Sequence, residues 1–254
     1  MIYKNIQLKI EYDGTFFSGW QKQKNSISIQ SVLEDTLKKI AGHSVDLIVA
    51  GRTDAGVHAL GQICNFQTCS KLSPFQFKRI ANLLLPKDIH VKMARIVPKS
   101  FHATYDAVSK IYRYVIRQSA EDTVWDRFYY YRESRPLNLF KMRTAAKLLI
   151  GKHDFSAFCG ALGRKRANPN RILKKIKIRQ CGNDIYLEFC GVSFLHQMVR
   201  ILSGTLLYAG LGKIKPQDVV AILKSKDRRE AGPTLPAKGL FLVKVFYSMK
   251  DIKL

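Results

Sequence analysis

Apolar side chains two apart at Ile6, Leu8, Ile10 and Tyr12 have the spacing of a half-buried strand, and Asp13-Gly14 ends it. From Ser28 the period changes. Val32, Leu33, Leu37 and Ile40 fall on one helical face and Gly42 supplies a stop, so the spacing predicts a helix over 29–41. Val45–Ala50 reads as a short apolar strand running into Gly51. Strands near Gln62–Gln67 and Val91–Val97, with a helix over Pro74–Leu85 between them, complete the first half.

The second half repeats the alternation without visible sequence identity. A strand is expected at Lys110–Gln118, then a helix from Leu139 stopping at Gly151. Ile172, Lys174, Ile176 and Ile178 alternate, the chain turns at Cys181-Gly182-Asn183-Asp184, and Ile185, Leu187 and Phe189 alternate again, which predicts a hairpin. A long apolar helix is expected over Leu195–Ala209, and Pro216 suits the first turn of another. The closing strand, Leu240–Tyr247, is apolar on both faces and is expected to be central. These elements predict an α+β protein whose two β-α-β-rich halves, 1–105 and 106–254, share a mostly antiparallel sheet flanked by helices.

Charge adds a partner to this picture. The 254 residues carry 43 Lys and Arg against 19 Asp and Glu, a formal net charge of +24, of which residues 106–254 hold +17. Such an excess repels itself unless a polyanion is near, so nucleic acid is the first partner to consider, and the second half is the expected platform. A solvated Lys-rich surface is the plainer use of the same charges. No apolar run is long enough to span a bilayer, and the beginning of the chain alternates like a strand, so a soluble cytoplasmic protein with no membrane partner is expected. Five cysteines without a CxxC pair argue against a disulfide framework or a zinc site.

The chemistry concentrates in Gly51-Arg52-Thr53-Asp54-Ala55-Gly56. Two glycines after an apolar strand let the backbone turn sharply and present Arg52 and Asp54 at the strand end. On this local pattern alone, an aspartate that bonds its own turn or caps a helix is the commoner use. A two-metal nuclease would need clustered carboxylates, and within ten residues of Asp54 only Asp46 qualifies. No phosphate-loop motif is present, and Gly210-Leu211-Gly212-Lys213 lacks its flanking residues.

The string GRTDAGVHALGQICNF, Gly51–Phe66, resembles the signature of the bacterial tRNA pseudouridine synthase A family. YDGTFFSGWQKQ from Tyr12, Asn82–Ile89, Phe101-His102-Ala103, Lys110–Tyr114, Asp154–Phe158, His196–Arg200 and Gly239–Leu242 resemble further blocks of that family in the same order. The resemblance implies the pseudouridine synthase fold and isomerisation of a uridine in the anticodon stem-loop of tRNA, without cofactor or metal. It further implies Asp54 as nucleophile, Arg200 as its ion-pair partner and Tyr112 packed on the target uracil. Arg52 would stabilise the stack that the uridine leaves, against a rival role in a structural salt bridge, and Leu242 would form part of an apolar floor. A homodimer binding tRNA is implied as well. A non-catalytic RNA-binding protein of the same fold is the alternative, although no RNP-type aromatic pattern is found. Arg164-Lys165-Arg166 and Lys174, Lys175, Lys177 and Arg179 are the densest basic patches. The chain departs from the family at Thr104, where arginine is usual, and over 160–171.

Overall fold

The computed structural model describes residues 3–121, 123–161 and 168–251, which form two compact units. The first holds the described residues up to 108 together with 241–251, and the second those of 109–240. Each pairs a largely antiparallel sheet with helices, as an α+β chain should.

In the first unit, β1 (Lys4–Tyr12) lies between β3 (His58–Thr68) and β4 (Ile89–Val97), antiparallel to both. Its odd face was expected to meet solvent. Instead Asn5 and Gln7 are buried: the chain at 98–101 lies against Asn5, and Arg95 Nε donates to Gln7 Oε1 (2.6 Å). Asn5 Nδ2 donates to the Phe101 carbonyl (2.9 Å), Asn65 Nδ2 to Asn5 Oδ1 (3.0 Å), and the Ala103 amide to Asn65 Oδ1 (2.9 Å). Amide side chains on this face satisfy a buried backbone that aliphatic ones would leave unpaired.

The first helix, α1 (Ile29–Ala41), ends where Gly42 adopts φ 77° and begins at Ser28, whose hydroxyl accepts from the Ser31 amide. Its buried face is Ile29, Leu33, Thr36 and Leu37, while Val32 and Ile40 are only half-buried. A second helix, α2 (Pro74–Leu84), has its own capping box, Ser73 with Gln76, and packs on β4. The strand expected over Val45–Ala50 shrinks to β2 (Ile48–Val49), antiparallel to β3, although Val45 and Leu47 are buried. Burial without ladder pairing made this stretch look longer than it is. β3, conversely, starts earlier than expected, directly after the Asp54 turn. The last strand, β10 (Leu240–Phe246), runs parallel to β3, with Phe241 opposite His58 and Leu242 opposite Ala59.

The second unit is ordered β5 (Ser109–Gln118), β9 (Asp184–Gly191), β8 (Asn170–Cys181), β7 (Gly151–Asp154), all neighbours antiparallel. A three-residue strand, β6 (Tyr131–Glu133), lies parallel to β5. The hairpin was expected, and Ile178 is buried on the expected face, but the alternation breaks at the start of β8. A bulge between Leu173 and Lys175 puts Leu173 inside with Ile178 and leaves Ile172 exposed, because one extra residue flips the alternation on either side of it.

Three helices accompany this sheet: α3 (Leu139–Leu148), α4 (Met198–Gly210) and α5 (Asp218–Ser225). α3 stops before Gly151, which instead opens β7. Eleven of the thirteen residues of α4 are buried, so it is a core helix. It begins three residues later than its hydrophobicity suggests, because Gln197 takes a left-handed φ of 58°. All five cysteines are free thiols; Cys64, Cys159 and Cys190 are buried, and burial pushes Cys64 well above the usual thiol range. No helix among the described residues is long and apolar enough to cross a membrane.

Candidate active site

The Asp54 turn hangs between two strand ends and is gripped by the chain from Tyr12 to Trp20. The Ala50 amide donates to the Ile63 carbonyl (2.8 Å) and Gln62 Nε2 to the Gly51 carbonyl (2.7 Å), which closes the strand side. On the opposite side the Tyr12 hydroxyl lies 2.8 Å from Thr53 Oγ1 and the Trp20 amide donates to the Thr53 carbonyl (3.0 Å). The Val57 amide returns to the Asp54 carbonyl (3.2 Å), and the Gly56 amide reaches the Phe17 carbonyl (3.3 Å). Thr53 and Gly56, on either side of Asp54-Ala55, are therefore bonded to the same remote segment.

Two glycines make that grip possible. A β-carbon on Gly14 would stand 2.0 Å from the Val57 carbonyl oxygen, and one on Gly19 would stand 2.6 Å from that of Thr53. Gly19 also has φ 87°, open to glycine without strain. Asp13 Oδ1 accepts from the Thr15 amide and hydroxyl, an Asx turn that shapes the segment, and lies 3.1 Å from His58 Nδ1. The same ring nitrogen is 3.1 Å from the Gly14 amide, and the imidazole stacks on Phe241 at 4.7 Å. His58, 1% exposed, thus joins the two segments below the turn.

The result is a half-buried Asp54 beside a solvent-exposed Arg52, which forms no ion pair among the described residues. Tyr12, buried beneath, has its hydroxyl pushed up to about 12 by desolvation, which the bonds from Thr53 and Gln62 only partly oppose. It therefore stays a neutral hydrogen-bonding strut. Thr104, where arginine was expected, donates its hydroxyl to the Val49 carbonyl (2.6 Å) and so ties down the strand entering the turn. Leu242 is fully buried on β10 in the same unit.

Tyr112 and Arg200 belong to the second unit. Tyr112 alternates with Lys110 and Tyr114 along β5, is 7% exposed, and meets Phe194 edge-to-face at 5.0 Å. The Tyr114 hydroxyl donates to the Pro236 carbonyl (2.7 Å); burial raises its pKa and the nearby Arg200 charge only partly offsets this. Arg200, on α4, directs Nε to the Leu235 carbonyl (2.7 Å), and the Leu235 amide returns to the Arg200 carbonyl (3.3 Å). That exchange fixes where the guanidinium points. Lys110 is buried, and desolvation lowers its amine to about 8.

The basic strand is less free than its sequence suggests. Arg113 Nη2 and Arg179 Nη2 each sit 2.7 Å from a Glu188 carboxylate oxygen. Burial alone would raise Glu188, but the bond from Arg113 and the two positive charges hold it below the usual range. Arg164-Lys165-Arg166 lies outside the described residues. Among those described, no three His, Cys, Asp or Glu side chains gather as a metal would require.

A sheet-and-helix chain that mounts an aspartate and an arginine on a rigid strand-end turn has the build of an enzyme site. The sequence profile of the tRNA pseudouridine synthase family matches residues 9–106 and 145–248, which span both the turn and the α4 arginine. The tRNA pseudouridine synthase A of a Thermoanaerobacter species is 45% identical over 244 residues, covering 96% of this chain and 100% of that protein. That of Clostridium kluyveri shows the same identity and coverage, and tRNA pseudouridine synthase A 2 of Clostridium tetani is 42% identical over 96% of this chain and 99% of its own length. The chain belongs to the tRNA pseudouridine synthase family, a family of isomerases.

The Tyr12–Trp20 block was recognised as part of the resemblance, but no role was read from it. Its contacts to the turn are mostly backbone to backbone, and only the crowded Gly14 and Gly19 hint at them.

Proposed function

We propose that this protein converts uridine to pseudouridine in the anticodon stem-loop of tRNA, with Asp54 as nucleophile. The observation that carries the proposal is the mounting of Asp54: a carboxylate on a turn bonded from both sides, half-buried and next to an exposed guanidinium. The reaction is an isomerisation. The bond from uracil N1 to the ribose anomeric carbon breaks, the base turns, and a bond from C5 to that carbon forms, while the C5 proton is lost and N1 gains one. Asp54 attacks either the anomeric carbon or C6, and both routes need it ionised.

Arg200 supplies the positive charge that keeps the carboxylate ionised, and its anchored Nε gives that charge a fixed direction. Tyr112 packs on the uracil and Arg52 steadies the stack that the nucleotide leaves. Leu242, wholly buried, packs beneath the uracil site as part of its apolar floor. Lysines and arginines of the second unit bind the tRNA backbone. The enzyme works as a cytoplasmic homodimer that needs no cofactor.

The test is incubation with tRNA transcripts without divalent metal, followed by chemical labelling and mapping of reverse-transcription stops. New pseudouridine in the anticodon arm that disappears with Asp54→Asn is expected. Unchanged RNA, or cleavage that appears only with magnesium, overturns the proposal.

A further inference from the structure

Arg228 and Arg229 are adjacent and used differently. Arg229 is exposed, and its guanidinium pairs with the Asp227 carboxylate (2.6 Å). Arg228 is half-buried and turns onto the backbone of the segment that follows it. Its Nη1 donates to the carbonyls of Ala231 (3.3 Å) and Gly232 (2.9 Å), and its Nη2 to the Thr234 hydroxyl (2.8 Å). In a chain with a net charge of +24, phosphate is the first ligand to consider for an arginine, yet these bonds spend Arg228 on its own chain.

The segment so held lies along α4 without helix or strand bonding of its own over 232–236. Two close approaches set its path. A β-carbon on Gly204 would stand 1.9 Å from the Pro233 carbonyl oxygen, and one on Gly232 would stand 2.5 Å from the Thr205 amide nitrogen. The Gly232 amide donates to Thr205 Oγ1 (2.9 Å), and that hydroxyl donates in turn to the Ile201 carbonyl (3.0 Å). Directly after Thr234 comes Leu235, whose carbonyl receives Arg200 Nε at 2.7 Å. The acceptor that aims Arg200 thus belongs to a stretch that no ladder fixes. Arg228 closes that stretch on itself: its planar fork spans two carbonyls and a hydroxyl, which the compact ammonium of a lysine cannot match.

We propose that Arg228 is a positioning residue for the reaction, holding Ala231–Thr234 in the path that presents the Leu235 carbonyl to Arg200 Nε. The inference rests on the reading of Arg200 given above. Arg228 acts through Arg200 and not on the uridine itself. A shift of the Leu235 carbonyl turns the guanidinium with it, and a misplacement of about 1 Å costs on the order of a hundred-fold in rate.

Single-turnover pseudouridine formation at saturating protein and anisotropy of a 3′-fluorescein-labelled tRNA transcript test this. The proteins are wild type, Arg228→Lys, Arg200→Gln and the double variant, at a temperature where thermal melts show each folded. Arg228→Lys is expected to lower the saturated rate by about ten-fold or more, with tRNA affinity close to wild type. In the Arg200→Gln background the same change should cost little further rate, because the two residues act in series. Thr234→Val removes only the Nη2 acceptor, should give a smaller loss of the same kind, and replaces Arg228→Lys in the cycle if that variant does not fold. Three results overturn the proposal: an unchanged rate, a loss of affinity with the saturated rate intact, which marks a phosphate contact, or losses that multiply in the double variant, which mark a general effect on the fold. If Arg200→Gln itself keeps the wild-type rate, the reading of Arg200 fails and the proposal with it. An impaired Arg200→Gln beside an unimpaired Arg228→Lys overturns the proposal alone.

Discussion

The Tyr12 hydroxyl lies 2.8 Å from Oγ1 of Thr53, so the residue before the candidate nucleophile is tied to the last residue of β1 by a bond buried at both ends. Tyr12→Phe leaves the Thr53 hydroxyl without this partner and is expected to cost about 1–3 kcal/mol of stability. If the bond aims Asp54, kcat falls with KM unchanged, and Thr53→Val added to Tyr12→Phe costs less than the two singly. Urea titration and steady-state kinetics on the four proteins of the cycle check both.

Gly19→Ala places a methyl group against the Thr53 carbonyl at a backbone angle that suits glycine. A loss of roughly 2 kcal/mol or more is expected, with activity falling further than stability because the displaced atoms adjoin Asp54. Comparing thermal midpoints with the residual rate at a temperature where the variant stays folded checks this.

Lys110 gives a signed pH dependence. Burial lowers its folded pKa to about 8 from 10.5, so the unfolded chain binds its proton more readily. The cost of holding the amine is present below about pH 8 and is relieved as pH rises towards 10.5, which means this group makes stability increase with pH. Against Lys110→Met, the wild type should therefore gain stability between pH 7 and pH 9.5, by on the order of 2 kcal/mol. Denaturant midpoints of both proteins at the two pH values provide the check. Above pH 10 the buried Tyr12 pulls the other way, since its raised pKa leaves the unfolded chain losing protons first.

Binding of tRNA by Asp54→Asn is expected to fall steeply from low to physiological ionic strength, as phosphate contacts release counterions. Arg179 pairs with Glu188, so Arg179→Ala should change the slope less than removing an unpaired lysine would. Anisotropy titrations across a salt series check the slope, and salt-insensitive binding would contradict a phosphate-dominated platform.

Much of the architecture could be read from spacing where one face is buried and the ends carry their own chemistry. β1 announced itself through Ile6, Leu8, Ile10 and Tyr12, and α1 through Ser28 and Gly42. Spacing failed where tertiary contacts decide. The bulge at Leu173–Lys175 reverses a face, Gln197 delays α4, and β6 and β7 are too short to show a period. In the site, two glycines made the Asp54 turn legible. Its clamp was not, because a carbonyl on Thr53 accepting from an amide on Trp20 leaves no side-chain trace.

The clamp also has a dynamic consequence. The Trp20 amide bonds Thr53 and the Gly56 amide bonds Phe17, each across the two facing segments, so neither proton can exchange with solvent unless the segments part. They should exchange as one cooperative unit at a common opening free energy. Any loosening of the N-terminal strand would then unseat Asp54 well before the rest of the molecule unfolds.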